Sequence, residues 1–325
     1  MNFETEFKNN LIQKFNEKKY GKSKDKNLSA NSINLYLRNL EKLNDDMPLK
    51  NLNFLKNIET IKDKLSNYKE NTKRGYLISV CSALNTEGDK KFKKIYESYY
   101  NLLSQMNNTI KNDESQNNKT DTQKENWIKW DDVKNKMEEL KAKVDSFKKS
   151  KEINEHNYNT LLQLVILGLY YYKQPRRNLD YYRMDCIKKY NDNMDIDVNY
   201  LSIDDKQFIF NVFKTSKSEG IQKEDIPDEL MDIINVYLKF HPLIRGKKIK
   251  INQRVPFLVY YNGAKFDKVN SITRILNKIF GKAIGSSMLR HIFLSNKYGD
   301  IIEEQKKDAK AMGHSVEQQK DYVKK

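Results

Sequence analysis

The stretch Leu161–Tyr172 (LLQLVILGLYYY) is apolar nearly all the way round, and it constrains the fold more than any other segment. A helix without a polar face must be covered on every side, so this segment predicts a buried central helix with a domain built around it. Pro175 follows closely and predicts that the helix stops before it. The stretch is too short to cross a bilayer, and no run reaches about 18 uninterrupted apolar residues, so no transmembrane helix is expected. Met1-Asn2-Phe3-Glu4 has no basic flank followed by an apolar run, so no signal peptide is expected either.

Around that helix the pattern is mainly α with a small antiparallel sheet, an α+β chain of two domains. Ser29 or Ser32 can cap a helix whose apolar positions are Ile33, Tyr36, Leu37, Leu40 and Leu43. Leu52, Leu55, Ile58, Ile61 and Leu65 predict a second, and Leu77, Val80, Cys81 and Leu84 a third, which opens with Lys73 and Arg74. Residues 1–106 thus read as a helical bundle with basic faces. Asn107–Gln123 is polar and nearly free of apolar residues, and 107–126 reads as a linker. The second domain, 127–325, starts with a helix carrying Trp127, Trp130, Val133 and Met137. Tyr200–Ile203 and Phe208–Phe213 predict an antiparallel hairpin turning at Asp204-Asp205, with a third strand at Ile221–Ile226. Pro227 fits the first turn of a helix through Leu238, and Phe257–Tyr261 with Asn262-Gly263 a short strand and turn. Helices over 271–280, 287–298 and about 303–312 are predicted to end at Gly281, Gly299 and Gly313.

The chain carries 60 Lys and Arg against 44 Asp and Glu, a net charge of +16. An excess of that size points to a polyanionic partner, most simply nucleic acid. The basic residues are spread along the chain instead of forming the amphipathic helix that a membrane surface would select. Only Cys81 and Cys186 are present, too few for a disulfide framework or a cysteine zinc site, and a reduced intracellular setting follows.

Four segments of the second domain carry the chemistry. They are Pro175-Arg176-Arg177-Asn178-Leu179-Asp180, Phe213-Lys214-Thr215, Ser287-Met288-Leu289-Arg290-His291 and Met312-Gly313-His314-Ser315, with Tyr322 following. In this order they resemble the tyrosine recombinases, the integrases and resolvases that cut DNA with a tyrosine. The wording PRRNLDYY, SSMLRHIFL and MGHSVEQQ is most similar to recombinases of large eukaryotic DNA viruses and their mobile satellites. The resemblance covers the whole chain: a helical core-binding domain followed by the catalytic domain.

The resemblance implies a site-specific recombinase that joins itself to DNA through a 3′-phosphotyrosyl bond and needs no cofactor, metal or ATP. Arg177 and Arg290 would clamp the phosphate, Lys214 would protonate the leaving 5′ oxygen, His314 would hydrogen-bond the phosphate and Tyr322 would attack. Asp180 would orient Arg177. Arg176 competes with Arg177 for its role, and Lys217 with Lys214. The family usually has histidine where this chain has Ser287, which leaves the general base to water, Lys214 or His291. Lys73, Arg74, Arg176, Lys217 and Lys265 are the expected DNA contacts. The expected partners are double-stranded DNA at specific sites and a homotetramer on it, with no membrane. The compartment would be the nucleus or viral factory of a host cell if the element is viral, otherwise the cytoplasm or nucleoid. A type IB topoisomerase and a non-catalytic DNA-binding protein on the same fold are the alternatives.

Overall fold

A computed structural model describes residues 3–17, 28–86, 90–115, 119–319 and 321–323. The protein is mainly helical, at 60% helix, and divides into two units at 118/119. The first unit holds α1 (Phe3–Glu17), α2 (Ala30–Leu43), a 3-10 turn (Asn53–Lys56), α3 (Ile58–Ser66), α4 (Glu70–Thr86) and α5 (Lys90–Ser115). Ser29 caps α2 by accepting the Ser32 N–H at 3.2 Å. The apolar residues spaced for a helix meet in one core that includes Leu11, Phe15, Leu37, Leu40, Leu55, Val80 and Tyr99. Tyr99 donates its buried hydroxyl to the Leu55 carbonyl at 2.9 Å, which ties α5 to the 3-10 turn.

The expected linker departs from the structure. α5 runs on to Ser115, and α6 (Asp121–Asn126) follows behind a Thr120–Gln123 capping box. The polar tail of α5 extends a helix already anchored by Tyr99 and Leu103, so propagation costs little once the nucleus exists. Residues 116–118 of the expected linker lie outside the described residues.

The second unit continues with α7 (Trp130–Asp145), α8 (Glu155–Tyr171) and α9 (Asn178–Tyr182). Trp127 precedes α7 instead of lying within it. α8 is the anticipated central helix, capped by Asn154 and buried along Leu161–Tyr170 except at Gln163. Then come β1 (Asp185–Ile187), β2 (Tyr200–Ser202), β3 (Gln207–Phe210), α10 (Ser216–Glu219), β4 (Gln222–Asp225), α11 (Asp228–Phe240) and β5 (Val255–Pro256). α12 (Asn270–Phe280), α13 (Ser286–Ala311) and α14 (Val316–Gln319) complete the unit. Gly168 lets α8 and α11 approach closely: a Cβ there would stand 3.1 Å from Leu230 Cδ1.

The sheet is mixed, not antiparallel throughout. Its order is β4-β3-β2-β1-β5, and β1 runs parallel to β2 with Cys186 opposite Leu201. The hairpin β2–β3 and the third strand β4 stand where the alternation put them. The strand expected over Phe257–Tyr261 is reduced to a single bridge between Val259 and Lys265, and β5 lies just before it.

The largest departure is α13. Gly299 does not end a helix; α13 passes straight through it for 26 residues. Glycine costs a helix about 1 kcal/mol relative to alanine but does not break it. By contrast Gly281 caps α12 at φ 63°, and Gly313 follows the end of α13 at φ 73°. The head of α13 is held by Trp130, which stacks on Tyr171 and meets Phe293 edge-on. Both cysteines are free and buried, one in each unit. Burial pushes the Cys81 thiol up to about 12 and the Cys186 thiol well above its ordinary value.

Candidate functional site

Arg176 and Arg177 stand side by side in sequence and differ in every contact. Arg176 is folded inward. Its Nε donates to Asp180 Oδ2 at 2.9 Å, and its Nη1 donates to Glu224 at 2.7 Å and to Gln222 at 2.9 Å. Its guanidinium also lies over the rings of Phe210 and Phe213, at 3.8 and 5.1 Å. These contacts give Arg176 a structural role within the fold. Asp180 forms an ion pair with Arg176 and also feels the charge and a backbone hydrogen bond of Arg177. Burial raises the Asp180 carboxyl above its ordinary range, opposed by the charges of Arg176 and Arg177.

Arg177 occupies the N-cap position of α9 in extended backbone and is exposed. Arg290, on the first turns of α13, is half-buried. Burial lowers its pKa first, and the charge of Arg177 lowers it further, while the charges of Asp180 and Tyr170 oppose them. Two like charges that feel each other favour an anion near them, although Asp180 already offsets part of that repulsion.

Beneath them lies a polar network that the sequence did not single out. Tyr170 donates to Asn178 Oδ1 at 2.8 Å, and Asn178 donates to Thr273 Oγ1 at 2.8 Å, joining α8, α9 and α12. Ser286 hydrogen-bonds Tyr170 and so ties in the head of α13. Burial pushes the Tyr170 phenol well up, keeping it a neutral donor. Asn199 is a second missed residue. Its amide donates to the carbonyls of Asp180 (2.8 Å) and Val212 (2.9 Å). Its oxygen accepts the N–H groups of Asn211 (2.8 Å) and Val212 (2.7 Å). It thereby fixes the β3–β4 connection, and Lys214 within it, against the segment that carries Arg177. Only burial distinguishes Asn199 from the many other asparagines, and burial is not written in the sequence.

Lys214 is exposed in that connection, just after Phe213, and Lys217 is exposed on α10. Ser287 and His291 are exposed on α13 one turn apart, on one face with each other, and Arg290 lies between them in sequence. Lys265 is exposed beside the Asn262-Gly263 turn.

The two remaining residues form a cluster of their own. His314 and Tyr322 stack with ring centroids 5.4 Å apart and planes 17° apart. The Ser315 carbonyl lies 3.2 Å from His314 Nδ1, so that nitrogen carries the proton. Tyr322 is 71% exposed. This cluster sits at the far end of α13 from Arg290, and no described contact joins it to the arginines. In the first unit Lys73 pairs with Glu70 at 2.8 Å, and Arg74 donates to Asn107 at 2.6 Å from an exposed position.

Among the described residues no group of His, Cys, Asp and Glu is arranged to hold a metal ion, and no helix is long and apolar enough to cross a membrane. No protein-family model, curated protein or solved structure matches the chain.

Proposed function

We propose that this chain is a tyrosine-type site-specific recombinase, an integrase of a viral or mobile element, acting on duplex DNA as a homotetramer. The observation that carries this reading is that Arg177 and Arg290 lie at the heads of α9 and α13, elements joined by one buried polar network, and that the charge of Arg177 reaches Arg290.

A phosphodiester between the two guanidiniums would give a non-bridging oxygen to each. Negative charge grows on those oxygens as the phosphorus becomes five-coordinate, so the clamp binds the transition state more tightly than the substrate. The Tyr322 oxygen forms a bond to phosphorus as the bond to the 5′ oxygen breaks. Lys214 supplies the proton that the 5′ oxygen takes up. The phenol proton leaves to water or to His291, which stands one helical turn from Ser287. His314 would hold the phosphate through a ring N–H once its Nδ1 is released from the Ser315 carbonyl. The phosphotyrosyl bond retains the energy of the bond it replaces, so a second 5′-hydroxyl can reverse the step on another strand.

Covalent trapping tests this. The protein is incubated in EDTA with a pool of nicked duplexes of randomised sequence and run on a denaturing gel. A shifted band, absent in Tyr322→Phe and mapped to Tyr322 by mass spectrometry, is the expected result. Binding of the pool without any adduct would reject the enzyme. One observation favours the second reading, a DNA-binding protein without chemistry: the distance of Tyr322 from the arginines. A lone protomer that relaxes plasmid without exchanging strands would instead identify a topoisomerase.

A further inference from the structure

The proposed chemistry leaves one run of the second unit without a role. Between Asp232 and Asp267 the chain has no acidic residue and seven Lys or Arg. Arg245, Lys247, Lys248 and Lys250 crowd into six positions of it, in the loop after α11. That loop folds back on the helix end. Gly246, at φ 69°, donates its N–H to the Leu238 carbonyl at 3.3 Å, and Lys247 donates its own to the Ile244 carbonyl at 3.0 Å.

The fold-back leaves a cavity of about 610 Å³, a size that suits a small organic ligand. Ile203, Leu238, Ile244 and Ile249 give it an apolar lining, and the last three are buried. Lys188, Lys247 and Lys248 line it from exposed positions, and among the described residues none of the three is in an ion pair. Lys239 is a fourth lysine of the lining, and its ammonium donates to the Lys148 carbonyl at 2.8 Å. Asn235 and Asp204 are the other polar side chains. The cavity is distinct from the arginine site. Lys188 and Asp204 follow the ends of the parallel strands β1 and β2, whereas Asn199, which holds Asp180, precedes β2. The cavity therefore lies at the opposite end of these strands from the segment that carries Arg177.

The lining selects a ligand of three parts. Aliphatic side chains cover a flat apolar ring. Three unpaired ammonium groups call for several negative charges close together, as on a polyphosphate. The Asn235 amide and the Asp204 carboxylate match the amine and ring nitrogens on the edge of a purine. Duplex DNA would meet the lysines with its phosphates but has its bases stacked away from the apolar lining. We propose that this cavity binds a purine nucleoside triphosphate, with the base among the aliphatic side chains and the phosphates on Lys188, Lys247 and Lys248. No step of the strand chemistry consumes it, so it is bound and released unchanged.

Titration calorimetry of the full chain with ATP and with GTP, in EDTA and about 150 mM salt to screen distant charges, is the test. At least one nucleotide should bind at one site per chain. It should bind roughly tenfold or more tighter than inorganic tripolyphosphate, which brings the charge without the base. Lys247→Glu with Lys248→Glu, both at exposed positions, should weaken it roughly a hundredfold. Irradiated 8-azido-ATP or 8-azido-GTP should label peptides containing 203–204 or 235–249, read by mass spectrometry. Four results would overturn the proposal: no saturable binding of either nucleotide, tripolyphosphate binding as tightly as both, labelling confined to other peptides, or loss of binding in Arg177→Ala, which would put the nucleotide at the arginine site. Displacement of the label by random duplex would make the lysines a nucleic-acid face and overturn it too.

Discussion

Replacing Arg176 with alanine would leave Asp180 and Glu224 without their shared cation inside the fold, and breaking a largely buried pair of this kind costs about 3 kcal/mol. Urea unfolding followed by tryptophan fluorescence should show that loss, since both tryptophans, Trp127 and Trp130, lie in the second unit. Arg177→Ala, at an exposed position, should move the same curve by less than about 0.5 kcal/mol and lower adduct formation roughly 100-fold or more. His241 gives a prediction in pH. Its Nδ1 accepts the Leu243 N–H at 3.2 Å, so Nε2 bears the proton and donates to the Pro256 carbonyl at 3.0 Å. Burial lowers its pKa from 6.5 to about 4, although backbone hydrogen bonds push the other way. The unfolded chain takes up a proton near pH 6.5 and the folded chain only near 4. Stability present above pH 6.5 is therefore lost as the pH falls from 6.5 to 4, by on the order of 3 kcal/mol in all. Urea midpoints across that range should flatten in His241→Gln.

α13 is the element on which a single substitution says most. A Cβ at Gly299 would meet nothing within 4 Å, so Gly299→Ala should stabilise the unit by up to about 1 kcal/mol, read as a rise in thermal midpoint. It should leave trapping intact, because alanine keeps α13 continuous. A loss of adduct would point to a bend at Gly299 instead. The same helix marks where reading the sequence stops. Ser29, Pro227 and Gly281 were legible because each acts through its own backbone geometry: a cap, a fixed φ, a positive φ. Gly299 has the same composition signal without the geometry, and only packing decides. β1 is three residues long and buried by neighbours distant in sequence, so no alternation could announce it. The order of the motifs singled out Arg177 and Arg290, and the fold sets them at the heads of α9 and α13. The inward turn of Arg176 depended on Glu224 and Phe210, which the fold alone brings to it.

At the scale of the molecule, the surplus of +16 sets how binding answers to salt. Affinity for random duplex should fall steeply, by roughly a thousandfold between 50 and 200 mM salt if about six or more phosphates are neutralised. Filter binding across that range measures the slope, and a flat profile would remove nucleic acid as the partner of that charge. The two units have separate cores, and each core encloses one thiol, Cys81 in the first and Cys186 in the second. Neither thiol ionises near neutral pH while it is buried, so alkylation has to wait for its own unit to open. Iodoacetamide labelling, read by peptide mass, thus becomes a pair of independent clocks, one for each half of the chain. Adding duplex DNA should slow whichever clock belongs to the half that grips it.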